Sequence, residues 1–370
     1  MLRTKARKLI GKMLPESGVR RALKNIDASV QDTLHGLGTQ FPFLIRPQAK
    51  DIFLSLTAHC NLRCIGCKYG RDFMPGRQLP WDIAEPMLED AAELGYSSIR
   101  LYGGEPLLHP DLNRIIVRSL QLGINPWVTT NAMLLEQKIA GMYEAGLREL
   151  NIGFYGVGDE FNSYVQRGND RFARFESAVA HMSKHYGDRM NLGLAWLLMK
   201  PTFSSQALNQ AWDFALKYNI PMTINLVHYS LPYFTEGPDG MLQFKDEDRQ
   251  GLEDLVEEML QMKQDRPEML LQTEAGLRSI PDWLLKQEEM KVPCDKYDML
   301  WIGPDGSVQL CYVTFPFGNL HEKRLKEMLF GPDHVEAARK CFALDCPNCH
   351  CGFNSRIEKH APSMRTYSLG

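Results

Sequence analysis

A chain of 370 residues, 44% hydrophobic and 24% charged, can bury one large α/β core with a smaller unit beside it. Its formal net charge of −3 removes the electrostatic case for nucleic acid. No run reaches the apolar length of a membrane span, and the first residues lack a signal peptide's apolar centre, so the cytoplasm is the expected compartment.

Residues 1–50 read as a basic helical extension. Within 1–24, Arg3, Lys5, Arg7, Lys8, Lys12, Arg20, Arg21 and Lys24 face a single acid, Glu16, while Leu2, Leu9, Ile10, Met13 and Leu14 fall near helical spacing. The simplest reading is a surface helix packed on the main domain. Contact with an anionic membrane surface and a partner-docking arm are the alternatives.

From residue 51 the pattern changes. Strands are predicted at 51–57, 98–103, 126–130, 149–155, 190–199 and 221–228, with helices near 82–94, 110–122, 135–145, 171–186 and 205–218. Repeated strand–helix units imply a parallel sheet with right-handed crossovers, and in such barrels chemistry gathers at the C-terminal strand ends. An aromatic loop at 229–245 and an amphipathic helix near 246–263 close this core, which is assigned to 51–264. A connecting segment (265–289) and a cysteine-rich domain with its tail (290–370) follow. In the latter, Pro304-Asp305-Gly306 between two β-rich runs reads as a hairpin turn.

The nine cysteines fall into two groups with nothing between Cys67 and Cys294. Grouped cysteines in an enzyme-sized chain read as metal or cluster ligands in a reducing compartment. Cys60, Cys64 and Cys67, spaced C-x3-C-x2-C just after the first strand, offer three thiolates and leave a fourth position unfilled. A structural zinc site and a plain [4Fe–4S] carrier normally close with four protein ligands.

On these residues the chain resembles the radical S-adenosylmethionine (SAM) superfamily over about 51–228. The resemblance implies an α/β fold built on a partial (β/α)6 TIM-type barrel. It also implies that Cys60, Cys64 and Cys67 hold a [4Fe–4S] cluster whose fourth iron is chelated by SAM. Reductive cleavage of SAM would then yield a 5′-deoxyadenosyl radical. Gly103-Gly104-Glu105-Pro106 is similar to the family's "GGEP" element, implying backbone contact with the SAM ammonium. Thr130-Asn131 matches the start of the ribose-contacting "TNG" strand end, with Ala132 in place of glycine. Asn151-Ile152-Gly153-Phe154-Tyr155-Gly156 resembles the family's fourth-strand segment, with Tyr155 where an aspartate is usual. Arg167 is the corresponding candidate for the SAM carboxylate; an exposed arginine at a helix entry is the alternative. Gly66 departs from the aromatic residue usual before the third cysteine, leaving Tyr69, Leu194 or Trp196 as substitutes.

Gly306-(4)-Cys311 and Gly318-Asn319-Leu320 resemble a short SPASM domain, also called twitch. Cys294, Cys311, Cys346 and Cys349 are implied as ligands of one auxiliary [4Fe–4S] cluster, with a zinc site as the physical alternative. Cys341 and Cys351 stay open as structural thiols, substitute ligands or hydrogen-atom donors. The implied activity is hydrogen abstraction from a small polar, carbohydrate-like substrate, with net oxidation through the auxiliary cluster and a reducing partner such as flavodoxin or ferredoxin. Peptide modification, epimerisation and a non-catalytic iron–sulfur carrier are the alternatives.

Overall fold

Alternation of apolar and polar residues sets the architecture. In β1 (Asp51–Thr57), β2 (Ser98–Gly103), β3 (Asn125–Thr130), β4 (Glu149–Phe154), β5 (Asn191–Leu198) and β6 (Met222–Leu226), most alternate side chains are large apolar groups. Successive side chains of a strand point to opposite faces. One face of the sheet therefore carries Leu54, Leu101, Val128, Ile152, Trp196 and Ile224, all 0% exposed. Each such aliphatic side chain contributes about 1.5–3 kcal/mol on full burial. The structure, a computed structural model, describes Val30, residues 33–166, Gly168, residues 170–312 and residues 314–368. The basic segment 1–24 and Arg167 lie outside the described residues.

The six strands pair in parallel in sequence order. Helices Trp81–Leu94, Leu112–Gln121, Leu135–Glu144, Arg171–Tyr186 and Ser205–Tyr218 separate them, as the periodicity predicts. A short helix, Asp159–Val165, also follows β4; its seven residues give too little periodicity to stand out in the sequence. Among the described residues no helix is long and apolar enough to cross a membrane.

The C-terminal strands extend this same sheet. β7 (Met299–Ile302) pairs in parallel with β1, placing Phe53 beside Trp301. β8 (Ser307–Gln309) and β9 (Pro316–Asn319) continue it antiparallel, so the Pro304-Asp305-Gly306 turn joins β7 to β8 within a nine-stranded sheet that ends at β9. Asp305 Oδ1 accepts from the Ser307 amide (3.1 Å) and closes the turn. Beyond β9, Arg324 makes a two-pronged contact with Asp90 of the first helix, at 2.8 and 2.7 Å. Asp90 is 1% exposed. A buried carboxylate needs such a partner, and the pair fastens the cysteine-rich segment to the barrel's outer layer.

Candidate cysteine-lined active site

β1 ends at Thr57, and the chain turns directly into the Cys60–Cys67 loop. Its neighbours fix it from three sides. Gly104 N–H donates to Thr57 O and Glu105 N–H to His59 O, each at 2.8 Å, so the second strand's exit runs along the first. A Cβ on Gly103 would lie 2.4 Å from Thr57 O, and one on Gly104 2.3 Å from His59 O. Only glycine permits that approach.

Glu105 turns inward, 0% exposed. Its carboxylate accepts from Leu107 N (3.1 Å), Thr130 Oγ1 (2.7 Å) and Asn131 N (2.8 Å). Burial pushes its pKa up to about 7 against the pull of these donors. Asn131 Nδ2 in turn donates to Asn61 Oδ1 at 2.8 Å and lies 3.8 Å from Cys60 Sγ. Gly104, Glu105, Thr130 and Asn131 are thus gathered around the base of the cysteine loop.

Ala132 answers the departure at the third strand end. It adopts φ +65°, the left-handed backbone that favours glycine, while 1% exposed. The backbone keeps the glycine-like geometry despite the side chain, at a cost of about 1–2 kcal/mol. Ala132→Gly is therefore expected to raise stability by about 0.5–1 kcal/mol after glycine's extra chain entropy is subtracted. Anaerobic denaturant unfolding of the two chains measures this, and a loss of stability would contradict it.

The third side of the loop is the aromatic segment after β6. Lys68 N–H donates to Tyr233 O (2.8 Å) and Thr235 N–H to Gly66 O (2.7 Å), with Cys67 and Phe234 forming an antiparallel bridge. A Cβ on Gly66 would meet Thr235 O at 2.6 Å, Leu242 Cδ1 at 2.7 Å and the Phe234 ring at 3.2 Å. At Gly66, where the family usually has an aromatic, the Phe234 ring from another part of the chain lies against the position a side chain would take. Of the substitutes the sequence suggests, Tyr69 is buried against Phe73 and Tyr233. Leu194 and Trp196 lie in the core beneath the sheet, both 0% exposed.

The three thiols of the loop share a largely buried environment. Burial pushes Cys60 up to about 12 and raises Cys64 and Cys67. A thiolate forms in such surroundings when iron replaces the proton. Leu62 N–H already points at Cys60 Sγ (3.4 Å), and the Arg71 guanidinium caps the Cys67 carbonyl at 3.1 Å. Burial holds the Tyr155 hydroxyl in the neutral form, beside the three cysteines. Tyr155 leaves no carboxylate at that strand end.

A second cavity lies on the β7–β8 side. Cys294, Cys311, Cys346 and Cys349 line it together, and so do Cys341 and Cys351. Cys341 Sγ is 3.6 Å from Cys294 Sγ, and Cys351 Sγ is 3.9 Å from His228 Nε2 at the end of β6. The thiol of Cys341, by donating to Cys294, holds the latter's pKa below its ordinary value. Arg356 also lines the cavity, 0% exposed, bonded to the carbonyls of Cys349 and Val292 rather than to a carboxylate. A buried guanidinium beside several thiols suits a centre that carries net negative charge. Among the described residues no three His, Cys, Asp or Glu side chains converge as a single ion requires.

Sequence reasoning missed the partners of these loops: Asn61, the bridge from Thr235 and Phe234, and Arg100 inside the barrel. Arg100 had one signal. It is a lone cation in the β-rich run 98–103, in phase with Tyr102 and out of phase with the core residues Ile99 and Leu101.

Comparisons with known proteins agree with this geometry. Residues 54–198 match the family model of the Radical SAM superfamily, and residues 294–351 match SPASM, an iron–sulfur cluster-binding domain. A GTP 3′,8-cyclase of Aquifex aeolicus is 40% identical over 126 residues, which are 32% of this chain and 39% of that protein. A probable GTP 3′,8-cyclase of Methanothermobacter thermautotrophicus is 36% identical over 128 residues, 34% of this chain and 41% of its own. The chain thus spans about two fifths of the length of these relatives. Among solved structures, anSMEcpe with bound AdoMet superposes with a TM-score of 0.62 at 17% identity, covering 80% of this chain and 81% of that one. Streptococcus suis SuiB bound to the precursor peptide SuiA gives 0.61 at 16%, covering 86% and 74%. These likenesses establish the fold.

Proposed function

The chain is a radical SAM superfamily enzyme with a SPASM-type iron–sulfur domain, and its cofactors are [4Fe–4S] clusters and SAM; from this premise we propose that it oxidises a small polar, carbohydrate-like substrate by two electrons. Cys60, Cys64 and Cys67 hold the SAM-binding cluster, and Gly103, Gly104, Glu105, Thr130 and Asn131 shape the SAM site. Arg167 retains its proposed place at the SAM carboxylate. The auxiliary ligands come from Cys294, Cys311, Cys346 and Cys349, with Cys341 close enough to Cys294 to replace one of them. When bound, these groups supply a 5′-deoxyadenosyl radical for hydrogen abstraction and an acceptor for the substrate's second electron.

The observation that supports oxidation is the position of Tyr312. It lines the auxiliary cavity, and its hydroxyl is 3.0 Å from Arg100 Nη1 on the barrel's inner wall. Substrate held in the barrel would therefore lie against the wall of the auxiliary site. A reducing protein such as flavodoxin or ferredoxin supplies the first electron. Cys351 favours a second reading, epimerisation. Its thiol sits beside His228 at the last barrel strand, and the hydrogen bond it donates to Cys349 raises its pKa, with burial adding to the effect. Such a thiol retains a hydrogen atom to donate. Peptides remain the alternative substrate class, since SuiB, of like fold, is described with a precursor peptide.

Turnover of candidate substrates in heavy water separates the two outcomes. The expected product is two mass units lighter than substrate, with no deuterium at carbon. Deuterium at carbon without that mass loss would replace oxidation by epimerisation.

A further inference from the structure

The inner face of the barrel differs from its outer face in kind. The side chains alternating with the apolar core residues include Arg100, Thr129, Asn151, Thr223 and Asn225, all with some exposure. Asn225 is exposed one residue before the end of β6. Gly193 lets the Asn151 side chain lie along this wall, since a Cβ there would come within 2.4 Å of Asn151 Oδ1. A polar, partly exposed sheet face opposite a dry apolar one marks where a polar molecule enters.

Arg100 is the cation in the body of this wall. Three aromatic rings surround its guanidinium, Phe53 at 5.3 Å, Tyr102 at 4.7 Å and Trp127 at 5.1 Å. Its Nε donates to Thr129 Oγ1 and its Nη1 to Tyr312 OH, each at 3.0 Å. Both acceptors are neutral. Among the described residues no carboxylate forms an ion pair with Arg100, and its Nη2 edge has no protein acceptor. Asp51 and Glu149 share this face only at the strand starts. A cation enclosed by aromatic rings without a counter-ion is costly, and an arginine fork with a free edge is shaped for an oxyanion.

We propose that Arg100 anchors an anionic group of the substrate, a carboxylate or a phosphate, inside the barrel. This rests on the enzyme reading above and narrows its substrate class from polar to acidic. The two neutral acceptors orient the fork, and the aromatic rings exclude water from around it. The anion then sits next to Tyr312, which places the rest of the molecule between the Cys60–Cys67 loop and the auxiliary cavity.

The test uses the full, cluster-loaded chain with SAM, titrated calorimetrically with D-glucuronate, inorganic phosphate and D-glucose. Wild-type protein is expected to bind at least one anion at least about tenfold more tightly than glucose, a difference of about 1.4 kcal/mol. Arg100→Gln should abolish that preference and Arg100→Lys should keep part of it, while both variants keep the wild-type iron content. Whether glucuronate or phosphate binds identifies the group. A merely structural arginine would leave the preference intact in Arg100→Gln. That result overturns the proposal, as does failure of wild-type protein to bind either anion up to about 20 mM. If wild-type protein forms no 5′-deoxyadenosine, it is the enzyme reading that fails, whatever the anions do.

Discussion

Replacing Cys60, Cys64 and Cys67 together by alanine is expected to abolish dithionite-driven 5′-deoxyadenosine formation. Reconstituted iron should fall from about eight to about four per chain, since one of two [4Fe–4S] clusters loses all its protein ligands. Removal of a single thiol is a weaker experiment, because water or a neighbouring group can complete the coordination. Removal of all three leaves nothing in the loop to bind iron. The auxiliary cavity is built by other elements: β7, β8, the Pro332–Phe342 helix and the loop at 346–351. Its iron should therefore survive, and with it the fold. Anaerobic iron analysis and chromatography of the deoxynucleoside read the two effects separately. Persistence of 5′-deoxyadenosine would remove the radical site from this loop altogether.

The parts of this molecule that were legible in sequence are those encoded by local repetition. Strand β1 and helix Arg171–Tyr186 fall on their predicted bounds because an apolar residue recurs at every second position in one and along a helical stripe in the other. The cysteine spacings were legible for a similar reason, since ligands of one cluster on one loop are close in sequence. What was not legible depends on contacts between distant segments. Nothing near Met299 announces that β7 will pair with β1, 248 residues earlier at Asp51↔Met299. Cys341 has no ligand-like spacing to Cys294, yet the Pro332–Phe342 helix returns it to 3.6 Å. Ala132 looks like a broken motif until its φ of +65° appears. In each case the missing information is a tertiary constraint that overrides a local preference.

Gly66 is the sharpest instance, and substitution there should have a large effect. Its φ of +76° alone disfavours any side chain, by about 1–2 kcal/mol. A methyl group would also press on the Thr235 carbonyl at 2.6 Å, and backbone cannot rotate aside as a side chain can. Relief requires the 233–237 segment to move, which breaks the Thr235 N–H to Gly66 O bond and the Cys67–Phe234 bridge. Gly76 supplies the control: its φ is +74°, and a methyl group added there would meet nothing within 4 Å. Gly76→Ala should therefore show the backbone cost alone. Gly66→Ala should lose about 1–3 kcal/mol more, the usual range for overpacking, together with most SAM cleavage. Gly66→Phe, which restores the residue type usual in this family, should be worse than alanine because Phe234 already occupies that space. Denaturant unfolding and 5′-deoxyadenosine yield measure both. Equal losses in Gly66→Ala and Gly76→Ala would mean that the aromatic loop yields freely, and that its contact with the cysteine loop does not hold the site together.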